Sequence, residues 1–161
     1  MSLYYQTINS PVGAIHIATD GKNLRALALK GNWDKVKNRL DSMIEKQHPI
    51  LEQTKEQLDE YFAQKRRVFE LPIYFEGTNF EVSAWKALLK IPFGETRSYS
   101  EQAKAIGNPK AVRAIGRANG LNLISIIVPC HRVIGKSGKL TGFASGLDDK
   151  RFLLKMENKS V

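Results

Sequence analysis

One cysteine, Cys130, stands in a chain of 161 residues, so no internal disulfide can form and no cysteine-rich zinc site can be built. A lone thiol fits a reducing cytosol. Long apolar runs are missing too: the longest uncharged one, Leu121 to Cys130, has about half of the ~20 residues that cross a bilayer. The opening MSLYYQTINS has no basic segment followed by an apolar one, so neither export nor a membrane span is expected and the chain reads as cytoplasmic. Acidic residues are the remaining shortage. Against 25 Lys and Arg there are 16 Asp and Glu, a net charge of +9. Residues 1–76 hold 11 basic and 10 acidic side chains, whereas residues 77–161 hold 14 and 6. A polyanion such as nucleic acid is the partner that this second half suggests; the plainer alternative is a solvated basic surface.

What is present is ordinary globular material, with 42% hydrophobic residues, 12 glycines and 6 prolines. The length suits one domain or two small ones, an α+β fold by its patterning. Leu3–Ile8, Val12–Ala18 and Leu24–Leu29 alternate and are separated by Asn9-Ser10-Pro11 and Asp20-Gly21, which predicts a three-stranded antiparallel sheet. Trp33, Val36, Leu40 and Ile44 then predict a helix over 32–46, and Leu51, Leu58, Tyr61 and Phe62 a second one after Pro49. Nothing here gathers ligands or nucleophiles, so residues 1–76 read as scaffold. The composition shifts near Gly77, which divides the chain into 1–76 and 77–161.

In the second half Thr78 caps a predicted helix, and Ser98 with Glu101 forms a capping box opening another that ends at Gly107. Asn108 and Pro109 predict a further helix to Asn119, carrying Lys110, Arg113 and Arg117 along one side. Two short helices so tightly joined make a helix-turn-helix. Ile124–Val128 reads as a buried strand, Gly135–Gly142 as a hairpin or wing, and Leu147–Asn158 as a closing amphipathic helix.

Chemistry concentrates at Pro129-Cys130-His131-Arg132-Val133. A cysteine after an apolar run is most often buried filler. Here an imidazole and a guanidinium follow it directly, which would stabilise a thiolate and predicts a thiol ionising below about 8.5. Strand neighbours point to opposite faces, so Cys130 and His131 cooperate only if the chain turns, which Pro129 favours.

PCHRV, with Asn122 eight residues before Cys130, GNPKAVRAIGRANG at 107–120, Tyr99 in SYSEQA and the tail GLDDKRFLLKME, resembles the O6-alkylguanine-DNA alkyltransferase family. The resemblance covers the whole second half and, loosely, the first. It implies an N-terminal RNase H-like domain and a C-terminal winged-helix domain that enters the minor groove of duplex DNA as a monomer and flips out alkylated guanine. Cys130 would accept the alkyl group once and irreversibly, with no cofactor. His131 would act through a water as base, oriented by Glu157, and Asn122 would hold the loop. Tyr99 would donate to the leaving guanine, with Val133, Phe143 and Ala144 in the pocket wall. Arg113 would fill the space left by the base, while Lys110, Arg117, Ser98 and Arg132 meet DNA. Phe143 and Ala144-Ser145 depart from the family's usual Tyr and Ser or Gly. Some members bind zinc in the first domain; with no cysteine there, no metal is expected. The rivals are a damage sensor or winged-helix repressor, against which stand Cys130 and the lack of a dimerisation element, and a cysteine hydrolase, whose orienting residue is not found after His131.

Overall fold

A computed structural model describes residues 2–158 of the chain. They divide into two compact units, with the break between Phe75 and Glu76. None of the described helices is long and apolar enough to cross a membrane.

In the first unit β1 (Leu3–Ile8), β2 (Ile15–Thr19) and β3 (Leu24–Leu29) form the antiparallel meander that the alternation predicts. A fourth strand joins them. The sheet order is β3-β2-β1-β4, with β4 (Met43–Glu45) parallel to β1. The helix expected over 32–46 therefore breaks in the middle. α1 spans only Trp33–Asn38, and Arg39 closes it by donating its backbone N–H to Val36 and Lys37. Beyond it, pairing with β1 outweighs the helical spacing, and Ile44 is 51% exposed on this short edge strand. α2 (Pro49–Phe62) starts where Pro49 suits a first helical position, with His48 Nδ1 accepting the Ile50 N–H at 3.1 Å. Its Leu51, Leu58 and Tyr61 are buried, as are Ile15, Ile17 and Leu27 of the sheet. His16 is structural as well: it stacks on Trp33 at 4.6 Å and bonds Thr7 Oγ1 at 2.8 Å.

The second unit is mostly helical. Thr78 and Ser98 build full capping boxes on α3 (Asn79–Leu88) and α4 (Tyr99–Ala105), through Glu81 and Glu101. Ala84, Ala103, Ile115 and Ala118 form the core among α3, α4 and α5 (Val112–Gly120), with Phe80, Tyr99 and Ile106 packed against it. Polar groups sealed in this core are paired, as burial requires. Gln102 and Asn119 exchange amide hydrogen bonds at 2.9 and 2.8 Å, and Trp85 Nε1 donates to Ala118 O at 2.8 Å. Gly107, at φ +77°, makes the turn between α4 and α5.

Three expectations change here. α5 begins at Val112 instead of Pro109, because residues 108–111 first make a turn closed by the Ala111 N–H on Asn108 O. Ile124–Val128 is buried but is no strand. Apart from an isolated bridge at Ile124, it runs through turns, with Ile127 N–H on Ser125 O and Val128 N–H on Ile124 O, and Ile126 sits at φ +71°. A branched side chain rarely adopts that conformation, so strain is held four residues before Cys130. The wing is a tight turn in which Gly135 N–H bonds Lys139 O, following β6 (Val133–Ile134), which pairs in parallel with β5 (Arg97–Ser98). α6 (Leu147–Glu157) closes the unit as its pattern predicts.

Candidate active site

The chain does turn at the cysteine. Pro129 lies at φ −83°, ψ 67°, and Cys130–Arg132 form one turn of 3-10 helix, closed by Arg132 N–H on Pro129 O. All three side chains are buried, His131 completely. The site is thus an internal constellation at the end of a buried loop.

Asn122 organises that loop. Its Oδ1 accepts the Ile124 N–H at 3.0 Å, and its Nδ2 donates to Val128 O at 2.8 Å and to Cys130 Sγ at 3.3 Å. The expected low thiol pKa is overturned. Burial pushes the Cys130 thiol up, and the Asn122 bond and the Lys150 charge offset this only in part. Adjacency to an imidazole gives little help, because burial lowers His131 below its usual value despite Glu157. His131 Nε2 lies 2.7 Å from Glu157 Oε2, while its Nδ1 is buried with no partner among the described residues.

Burial alone would raise Glu157, but the hydrogen bonds and charges of His131 and Arg132 outweigh it and hold the carboxyl down at about 2. Arg132 is the second correction. Its Nε donates to Glu157 Oε1 at 2.7 Å, Nη2 to Oε2 at 3.1 Å and Nη1 to Ile91 O at 2.7 Å, so the guanidinium faces inward and is not available to a phosphate. A buried carboxylate competes for it better than a solvated surface site.

Tyr99, at the start of α4, donates its hydroxyl to Thr141 O at 3.1 Å and accepts from Thr141 Oγ1 at 3.3 Å. Lys150 joins it there. This side chain, which sequence reasoning missed, is fully buried on α6 and donates to Val133 O at 2.6 Å, Thr141 O at 2.8 Å and Gly142 O at 3.3 Å. Burial lowers its pKa to about 8. A signal existed: Lys150, Leu153, Leu154 and Glu157 are the buried residues of α6, at spacings of three, four and seven, so the apolar stripe carries a charge at each end. Val133 is buried in β6, and Phe143 and Ala144 are half-buried in the loop after Gly142. Lys110, Arg113 and Arg117 are elsewhere. They are exposed on α5 and its leading turn, and among the described residues none is in an ion pair. The Ser98 hydroxyl caps α4 by accepting the Glu101 N–H at 3.1 Å. Among the described residues no three of His, Cys, Asp and Glu come together as a metal site.

Known proteins resemble the chain over its whole length. The chain is 50% identical to the methylated-DNA–protein-cysteine methyltransferase of Methanosarcina acetivorans, across 96% of this chain and 98% of that one. It is 45% identical to the constitutive enzyme of that name from Bacillus subtilis, across 98% and 96%. The crystal structure of Mycobacterium tuberculosis OGT in complex with DNA superposes with a TM-score of 0.88 at 44% identity, covering 97% of this chain and 93% of that one. Residues 3–78 match the ribonuclease-like domain, and residues 79–159 the DNA binding domain, of 6-O-methylguanine DNA methyltransferase, and the chain belongs to that family.

Proposed function

We propose that the chain repairs duplex DNA by moving a methyl or larger alkyl group from O6-alkylguanine, and from O4-alkylthymine, to Cys130, once per molecule and without a cofactor. One observation carries this reading: consecutive residues of a single buried turn supply a sulfur held by Asn122 and an imidazole whose Nδ1 is unpartnered and whose Nε2 is backed by Glu157. The thiol is pushed up by burial, so it needs a base. A bridging water passes its proton to His131 Nδ1; the sulfur then attacks the methyl carbon in line, the S–C bond forms, and the C–O6 bond breaks. Its electron pair leaves on guanine, which recovers a proton. Tyr99 donates to the departing base. The phenol can leave Thr141 O without stranding it, because Lys150 bonds the same carbonyl. The product thioether does not release its carbon, so the reaction is not repeated.

Purified protein incubated with O6-methylguanine duplex should gain one methyl mass, on Cys130, and repair no more than one equivalent of DNA. Repeated turnover, or methyl on another residue, overturns the mechanism.

DNA is held by the exposed face of Lys110, Arg113 and Arg117, with α5 in the minor groove and a single protein copy per lesion. Binding through phosphates makes affinity fall steeply with salt. Arg113 occupies the gap when guanine leaves the stack. Arg113→Ala is therefore expected to slow repair of duplex DNA at least about tenfold more than reaction with free O6-benzylguanine, since only the duplex charges an unstacking cost of a few kcal/mol. Equal losses on the two substrates would return Arg113 to a phosphate contact.

A further inference from the structure

Among the described residues His131 and Arg132 both bond the Glu157 carboxylate, and it serves them unequally. Arg132 spans both of its oxygens, at 2.7 and 3.1 Å, and spends its remaining nitrogen on Ile91 O. The guanidinium also lies 5.7 Å from the centre of the Phe93 ring. His131 shares only Oε2, through Nε2 at 2.7 Å. The Glu157 side chain is 1% exposed, the Arg132 side chain 8% and the His131 side chain 0%.

The charges decide how this cluster protonates. A guanidinium is always charged, so Arg132 and Glu157 together are already neutral. Protonating His131 would add an uncompensated positive charge in a dry site, with the Lys150 ammonium also acting on it. Without the guanidinium, a buried Glu157 would instead hold an imidazolium as its own counter-ion. The groups facing His131 are Glu157 and Lys150 from α6, and Cys130 and Arg132 from its own turn.

We propose that Arg132 is a positioning residue of the acceptor site: by neutralising Glu157 it keeps His131 a neutral imidazole, with its Nε2–H given to Glu157 and the Nδ1 lone pair open. A buried Nδ1 with no acceptor beside it among the described residues suits a lone pair better than an N–H. A doubly protonated ring would place an N–H at Nδ1 with no protein acceptor among the described residues, which is costly. The inference rests on the proposed function only for the use made of Nδ1; the protonation state belongs to the protein without DNA.

Nitrogen-15 and carbon-13 NMR of the three histidines in the free protein tests it. His131 should be neutral and protonated at Nε2 from pH 6 to 8. In Arg132→Gln it should hold its proton to higher pH, with the imidazolium-to-imidazole ratio at pH 7 raised at least about tenfold, as for a charge partner a few ångströms away. Arg132→Lys, which keeps the charge, should titrate close to wild type. Iodoacetamide labelling of Cys130 across pH should show a new acid limb in Arg132→Gln only. An imidazolium or an Nδ1–H tautomer in wild type at pH 7 overturns the proposal, even if Arg132→Gln does not fold. So does an unchanged His131 titration in a folded Arg132→Gln. If His131 behaves as described but no methyl is transferred, the functional reading fails and this one stands.

Discussion

Cys130→Ser should bind methylated duplex DNA as wild type does and take up no methyl group. Serine keeps an oxygen where Asn122 now donates to sulfur, so the loop retains its acceptor. Lys110, Arg113 and Arg117, proposed to hold DNA, are exposed on α5 and its leading turn, away from this bond. Reactivity is what goes: a hydroxyl ionises far less readily than a thiol at neutral pH, and burial, which already raises the thiol, would penalise an alkoxide further. Gel shift and intact mass, run on one sample, separate the two properties. A methylated serine variant would remove Cys130 from the centre of the mechanism. Lost binding would mean that the cysteine loop shapes the DNA face.

The second large effect is on stability. Glu157→Gln leaves Arg132 buried without its anion, a loss that typically costs about 3–5 kcal/mol. At ~2–4 °C per kcal/mol for a chain of this size, melting at pH 7 should fall by on the order of 10 °C. The pH dependence has a definite sign. Glu157 is held at about 2, below its ordinary 4.5. The stability it contributes is complete above about pH 4.5 and drains away as pH falls through about 2. Wild type and Glu157→Gln should therefore differ most near neutrality and converge in acid. Parallel melting curves across pH 2–7 would show that the carboxylate titrates alike folded and unfolded. Equal melting at pH 7 would show that the ion pair adds nothing beyond its desolvation cost.

How far the sequence could be read varied with what each residue's role depends on. Both capping boxes were legible because Thr78 and Ser98 act on residues three positions away. The three-stranded meander was legible because alternation and turn chemistry agreed. The break after Arg39 was not, since β4 exists only through its pairing with β1, and three residues carry little pattern of their own. Ile124–Val128 announced its burial but not its shape: an apolar run must be inside, and a series of turns satisfies that as well as a strand does. At the site, Cys130, His131, Asn122 and Glu157 were identified by resemblance, and the structure brings all four together. Arg132 was misdirected toward DNA because a cation's direction depends on a carboxylate 25 residues away. Lys150 was hidden among the basic residues of the second half although its place on the buried stripe of α6 was there to be counted.

Asn122 makes the nucleophile part of the scaffold: a single amide nitrogen serves both Val128 O and Cys130 Sγ. A sulfur that has gained a carbon is a bulkier object in a packed loop, where overfilling alone costs about 1–3 kcal/mol, and that loop already holds Ile126 in an unfavourable backbone conformation. Alkylation of Cys130 is therefore expected to disturb residues 122–130. Spent copies should then expose more backbone there than fresh ones, and faster proteolysis within residues 122–130 of the alkylated protein checks this; equal cleavage would show that the loop absorbs the added carbon.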